Sequence, residues 1–403
     1  IRSITYFDNP GWPLNQKRVK RVGGFVQAAR AAFLERGFQV QTARLASVPF
    51  SELLTGKEIS QAIEYTETLE KAAREVGFDY VSIGPALPAQ PEVLEIIPDI
   101  FKNTSHVFAS GLITEPDKGI SLQAVWKCAG VILRTAYISP EGFANLRFAA
   151  LASVESGSPF FPAAYHRGGE PLFALALESA DLAVEAVRNG KDLNEVRSNL
   201  IASIERNAAL LSVIANQLAE VFHVKFAGID FSLAPFPESD FSIGTALEEL
   251  TGTTLGSPTS LAAVGFFADA IDRARFNKVG FCGVMLPVLE DSTLARRVAE
   301  GSLQLSDLML YSAVCGTGLD TIPLPGDVSH EAIAAILLDL GTLSLRLDKP
   351  LTARLMPIPG KKAGEETDFD FPYFANSKVM SVDQRPISSQ FSQDGWLSLI
   401  SRS

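Results

Sequence analysis

Histidine, methionine, tryptophan and cysteine are all scarce: 4, 4, 3 and 3 residues in a chain of 403. The cysteines, Cys128, Cys282 and Cys315, stand far apart without CxxC spacing, which excludes a disulfide framework and a zinc knuckle. A positive charge excess is also lacking. With 35 basic against 46 acidic residues the net charge is -11, which argues against nonspecific binding to nucleic acid or an anionic membrane. No long apolar run is present either: "TGTTLGSPTSLAAVGFFA" at 251–268 is half polar and carries glycines and a proline. No basic segment followed by an apolar one opens the chain, so secretion is unsupported and a reducing cytoplasm is expected. The partners expected are therefore a small anionic metabolite and a second copy of the chain, as a homodimer.

What is present is apolar: 47% hydrophobic residues against 20% charged, enough for a large core. Short apolar runs alternate with amphipathic stretches over the first 155 residues. "SITYF", "FQVQTARLA", "FDYVSIGPA", "SHVFASGLIT" and "LRFAALASV" read as strands; 15–36, 57–76 and 120–136 read as helices, the second announced by Thr55 and Glu58 as a capping box. Residues 156–225 are the most helical stretch, from "PLFALALESADLAVEAVRNG" to "IANQLAEVF". The β/α rhythm then resumes over 226–403 with "VKFAGIDFSLAPF", "KVGFCGVMLPVL" and "LTARLMPIP" as strands and helices near 258–275, 291–300 and 329–345. No low-complexity linker separates these parts. One large α/β domain of two halves around a helical pair is expected.

Several stretches carry candidate chemistry. "SAVCGTGLDTIPLP" at 312–325 reads as an ordered loop in which Gly316 and Gly318 allow close approach and Cys315 is available as a nucleophile beside Asp320. "SPFFPAAYHRGGEP" at 158–171 offers Tyr165 and His166, an imidazole able to carry protons near neutral pH. "GIDFSLAPFPESDFSIG" offers Asp230, Glu238 and Asp240, oxygen donors suited to Mg²⁺ or Ca²⁺. "RLMPIPGKKAGEETDFDFP" places Arg354 and Lys361 where they could receive a carboxylate or phosphate, or simply form a charged hairpin. Each has a plainer reading as packing, capping or solvated charge.

Taken in order, "GIDFSLAPFP", "FCGVMLPVLEDSTLARRVAEGSL", "AVCGTGLDTIPLPGD" and "RLMPIPGKKAG" resemble the domain-of-unknown-function 711 family, also called uncharacterised protein family 0210. The resemblance covers most of the chain from about 105 onward. It implies a fold similar to the glycyl-radical enzymes of the pyruvate formate-lyase type: a ten-stranded α/β barrel of two half-barrels with an inserted loop. It would place Cys315 on that loop. The C-terminal segment, however, carries no RVxGY-like radical-glycine motif, and a single cysteine stands where the formate-lyase type has adjacent ones. The expected function is an enzyme acting on a small anionic metabolite with Cys315, His166 and Asp320 as catalytic groups and Gly316, Gly318, Tyr165, Arg354 and Lys361 around the substrate. The alternatives are a noncatalytic metabolite-binding protein and a glycyl-radical enzyme.

Overall fold

The computed structural model describes residues 1–54, 60–391 and 394–402. Thr55 and Glu58, expected to cap a helix, lie outside the described residues. Nine strands form one mostly parallel sheet. They are β1 (Ser3–Phe7), β2 (Thr42–Ala46), β3 (Tyr80–Ala86), β4 (Val107–Leu112), β5 (Phe148–Ala152), β6 (Leu172–Ala176), β7 (Lys225–Asp230), β8 (Gly318–Pro325) and β9 (Leu351–Ile358). Their order is β8-β9-β5-β4-β3-β2-β1-β6-β7. Strands β1 to β5 run parallel to one another. Direction reverses twice, where β6 pairs antiparallel with β1 and β9 with β5. A separate small sheet joins Thr114–Glu115, Gly119–Ser121 and Trp396–Leu397.

Among the described residues no regular strand joins the two edges. "KVGFCGVMLPVL", expected as a strand, instead makes isolated parallel bridges: Ile229↔Lys278 and Leu233↔Val284 on the β7 side, and Pro287↔Asp320 on the β8 side. Glycines at 280 and 283 and the positive φ of Cys282 (44°) interrupt the extended backbone a ladder requires.

The sheet is buried on both faces, and period-2 alternation sorts the side chains between them. Ile4, Tyr6, Ala43, Leu45, Val81, Ile83, Val107, Phe173, Leu175, Leu351 and Ala353 join the main core with the helices. Phe7, Ala46, Phe108 and Ala174 turn to the second face, where Phe161 and Ala164 cover them. That cover is the segment 158–166, anchored where Thr5 Oγ1 donates to Pro159 O (2.8 Å), Ser82 Oγ to Ala164 O (2.7 Å) and His166 N to Ser47 O (2.9 Å). The alternation also explains a correction. "LFALA" was grouped with the central helices, but Leu172–Ala176 is β6, since a strand buried on both faces is as uniformly apolar as a buried helix. Helices Ala180–Asn189 and Leu193–Phe222 follow it.

The stretch 312–325 also departs from its reading as a loop. Helix Leu305–Cys315 runs into it, Gly316 caps that helix in the left-handed region (φ 80°), and β8 begins two residues later. Gly318 is required: its φ is 101°, and a Cβ there would stand 2.2 Å from Thr352 O. Pro323 and Pro325 are tolerated because β8 is an edge strand. Cys315 is fully buried, its Sγ 3.4 Å from the amide nitrogens of both Thr317 and Gly318, which donate to it. The expected outcome of cysteine alkylation resolved by peptide mass spectrometry is that Cys315 labels in the native protein roughly a hundredfold more slowly than in the unfolded chain. Fast native labelling would contradict this placement.

Candidate functional site

The second face is polar at one end. In β2, Ala43 and Leu45 enter the core, so Thr42 and Arg44 must point the other way. The register sets Arg44 beside Thr5 of β1 and Tyr80 of β3. Arg354 in β9 and Asp320 in β8 reach the same space, and Arg2, just ahead of β1, completes it. Together they line a cavity of about 140 Å³ whose remaining wall is mostly apolar and aromatic, Phe108, Phe160, Phe161, Phe281, Met285 and Phe371 among it, with Gln41, Thr317, Thr352 and Tyr373 as polar members.

The charged wall is a ladder of hydrogen-bonded ion pairs. Arg354 donates from Nε and Nη2 to the two oxygens of Asp320 (2.5 and 2.9 Å), and from Nη2 to Glu290 Oε1 (2.7 Å). Arg2 donates to Glu290 Oε2 and to Glu178 Oε2, the latter at 2.8 Å, and Gln41 Nε2 also donates to Glu178 (2.9 Å). Both oxygens of Glu290 are thus taken by cations. Burial opposes the ionisation of Glu290, yet Arg2 and Arg354 outweigh it and hold the carboxyl below its ordinary range. Asp320 goes the other way: burial, reinforced by the negative charge of Glu290, raises its carboxyl against the pull of Arg354. Two neighbouring carboxyls driven in opposite directions form an acid/base pair in the physical sense.

Arg44 is the exception. It is 8% exposed, its Nε donates to Thr42 Oγ1 (2.9 Å), and among the described residues its terminal nitrogens meet no carboxylate and no other acceptor. Aromatic faces hold it instead, with Cζ 5.1 Å from the Phe161 ring centroid and 5.9 Å from that of Tyr80. Phe108 packs edge-on against both rings. Burial, with Arg2 and Arg354 close by, pushes the guanidinium down to about 9, so it is charged at neutral pH without a counter-ion. A buried charge in that state gains from any anion that reaches it.

Of the residues singled out from sequence, Asp320 and Arg354 line this cavity and contact each other. The others lie elsewhere. Cys315 does not line it, although Thr317, two residues on, does, with its Oγ1 donating to Val284 O at 2.9 Å. Gly316 and Gly318 shape that turn. Tyr165 is buried with its hydroxyl donating to Val154 O at 2.9 Å. His166 is 3% exposed, its Nε2 unpartnered among the described residues, and burial lowers its pKa. Lys361 lies just ahead of a hairpin closed by Gly364 N to Val379 O (2.8 Å) and Val379 N to Glu365 O (2.9 Å), and its carbonyl accepts from Gly326 N (2.9 Å).

The cation site proposed at Asp230 and Glu238 meets a physical objection. Asp230 is fully buried and accepts from Ser232 N and Oγ, Phe281 N and Cys282 N at 2.7–3.2 Å, so its oxygens are spent on holding the 278–287 segment. Glu238 is exposed. Among the described residues no group of three or more His, Cys, Asp or Glu side chains is arranged to hold a metal ion. Sequence reading passed over Arg2, Arg44 and Glu290. A signal for Arg44 existed: a charged residue inside "TARLA", a strand otherwise fit for burial on both faces, needs a reason.

Two substitutions separate the roles. Arg354→Met strips Glu290 and Asp320 of a shared cation and is expected to cost about 3–5 kcal/mol in urea unfolding. Arg44→Met abandons no carboxylate and is expected to leave stability unchanged or raise it, by up to about 2 kcal/mol. Equal destabilisation by both would show that Arg44 has an internal partner.

Among the described residues no helix is long and apolar enough to cross a membrane. Residues 9–377 match the family model described as "Uncharacterised ACR (DUF711)". Among curated proteins, the chain is similar to a UPF0210 protein of Halothermothrix orenii, 29% identical over 94% of this chain and 87% of that one. It is similar to a UPF0210 protein of Methanopyrus kandleri, 30% identical over 95% and 88%. A UPF0210 protein of Pyrobaculum aerophilum is 32% identical over 82% and 76%. With a family model spanning most of the chain and relatives aligned over nearly the whole length, this chain belongs to the uncharacterised DUF711/UPF0210 family.

Proposed function

We propose that the protein binds a small anionic metabolite on Arg44 and acts on it as an enzyme, with Asp320 carrying a proton. The observation that carries this is the buried guanidinium of Arg44, charged and without a carboxylate, in the same cavity as Asp320, whose carboxyl burial and Glu290 push above its ordinary range. Arg354 holds Asp320 bidentately at the wall of the ligand space, which fixes where the carboxyl stands. In this reading the segment 278–287 serves as the tenth stave of a barrel closed around the ligand. Its bridges to Ile229, Leu233 and Asp320 support that, and the inserted segment is 158–166 rather than the stretch holding Cys315. Cys315 then acts through the turn that presents Thr317, and no radical step is invoked.

A noncatalytic binding protein is the second reading, and one observation favours it: both Asp320 oxygens are already engaged by Arg354. Incubation with pooled small carboxylic and phosphorylated metabolites, followed by NMR of the recovered pool, separates the two. The expected result is consumption of one component by the wild type and its unchanged recovery with Asp320→Asn, which keeps one acceptor for Arg354 and removes the acid. Since Arg44 must be protonated to hold an anion, affinity should stay level from neutral pH upward and fall as pH rises past about 9. A ligand retained at full affinity but never consumed would establish the binding reading.

A further inference from the structure

The cavity also restricts which anion can enter. Arg2 and Arg354 have their carboxylates, so among the described residues of the cavity only the charge of Arg44 is unanswered, and its two terminal nitrogens form a planar fork that matches a single carboxylate. A phosphate monoester or dicarboxylate would bring about a second negative charge into a space whose other wall already holds Glu290 and Asp320. The surface left for the rest of the ligand is mostly apolar, although Gln41, Thr317, Thr352 and Tyr373 also line it. Phe108, Phe161, Phe281 and Met285 line the space beyond Arg44, and about 140 Å³ compares with the roughly 150 Å³ that accommodates one benzene ring.

We infer that the ligand is a small monocarboxylate with an apolar body, of the size of a benzoate or a branched short-chain fatty acid. This rests on the reading of Arg44 as the anion site. Its carboxylate takes the two terminal nitrogens of Arg44. Its body lies against the same aromatic rings that hold the guanidinium, which preorganises both halves of the contact. Thr42 fixes the plane of the fork by accepting from Arg44 Nε, while its own hydroxyl donates to Arg2 O at 2.9 Å.

Thermal unfolding and calorimetric titration of the full chain with benzoate, 3-methylbutanoate, acetate, succinate and inorganic phosphate test the inference, using wild type, Arg44→Met and Arg44→Lys. Benzoate and 3-methylbutanoate are expected to stabilise the wild type and to bind at least about tenfold more tightly than acetate, with succinate and phosphate weaker still. Arg44→Met should abolish the effect. Arg44→Lys, which keeps the charge and loses the fork, should weaken it by at least about tenfold. Stabilisation by phosphate or succinate above benzoate, lost in Arg44→Met, overturns the monocarboxylate class and leaves the anion site standing. Equal responses of wild type and Arg44→Met to every anion overturn the anion site itself.

Discussion

Taking a guanidinium out of water costs several kcal/mol unless acceptors replace its hydration, and the second face of this sheet gathers Arg2, Arg44 and Arg354 around one cavity. Two of them are answered by Glu178, Glu290 and Asp320 in a continuous ladder. The third is answered by aromatic faces and one hydroxyl. Most other features of the site follow from that inequality. The ladder holds Arg2 and Arg354 in place, sets Glu290 and Asp320 on opposite sides of their ordinary behaviour, and leaves Arg44, among the described residues of the cavity, as the guanidinium without a carboxylate.

The fold serves this arrangement by keeping both faces of the sheet dry. Helices cover one face, and the segment 158–166 crosses the other, its backbone carbonyls accepting from the hydroxyls of Thr5 and Ser82. Short polar side chains on β1 and β3 are therefore structural anchors. Their hydrogen bonds allow an irregular strand of chain to be buried without orphaned carbonyls. Asp230 does the same for the 278–287 segment by collecting amides from Phe281 and Cys282, and the backbone carbonyl of Cys315 accepts from Val284 N at 2.8 Å. Cys315 and Asp230 thus look functional by residue type, while the structure uses both to hold backbone.

Sequence patterning made much of the fold legible. "SITYF" coincides with Ser3–Phe7, and the helices expected at 120–136 and 258–275 appear as Leu122–Ala136 and Ser260–Arg273. It failed where periodicity loses meaning: at "LFALA", buried on both faces, and at "KVGFCGVMLPVL", apolar enough for a strand but broken by glycine. Of the site, Asp320 and Arg354 could be named because they sit in stretches rich in other signals. The charge inside "TARLA" flags Arg44, but the reason for it, the lack of a carboxylate partner, exists only in space. Of the two glycines expected to allow close approach, Gly318 lies against Thr352 in β9 and serves the sheet, while Gly316 turns the chain out of the preceding helix.

The most direct measurement is a crystal soaked with para-bromobenzoate and examined at the bromine absorption edge. The account predicts one strong anomalous peak inside the cavity, among Phe108, Phe161 and Phe281, with carboxylate oxygens about 3 Å from the terminal nitrogens of Arg44. A cavity without bromine, or a bromine seated elsewhere with Arg44 uncontacted, would contradict it.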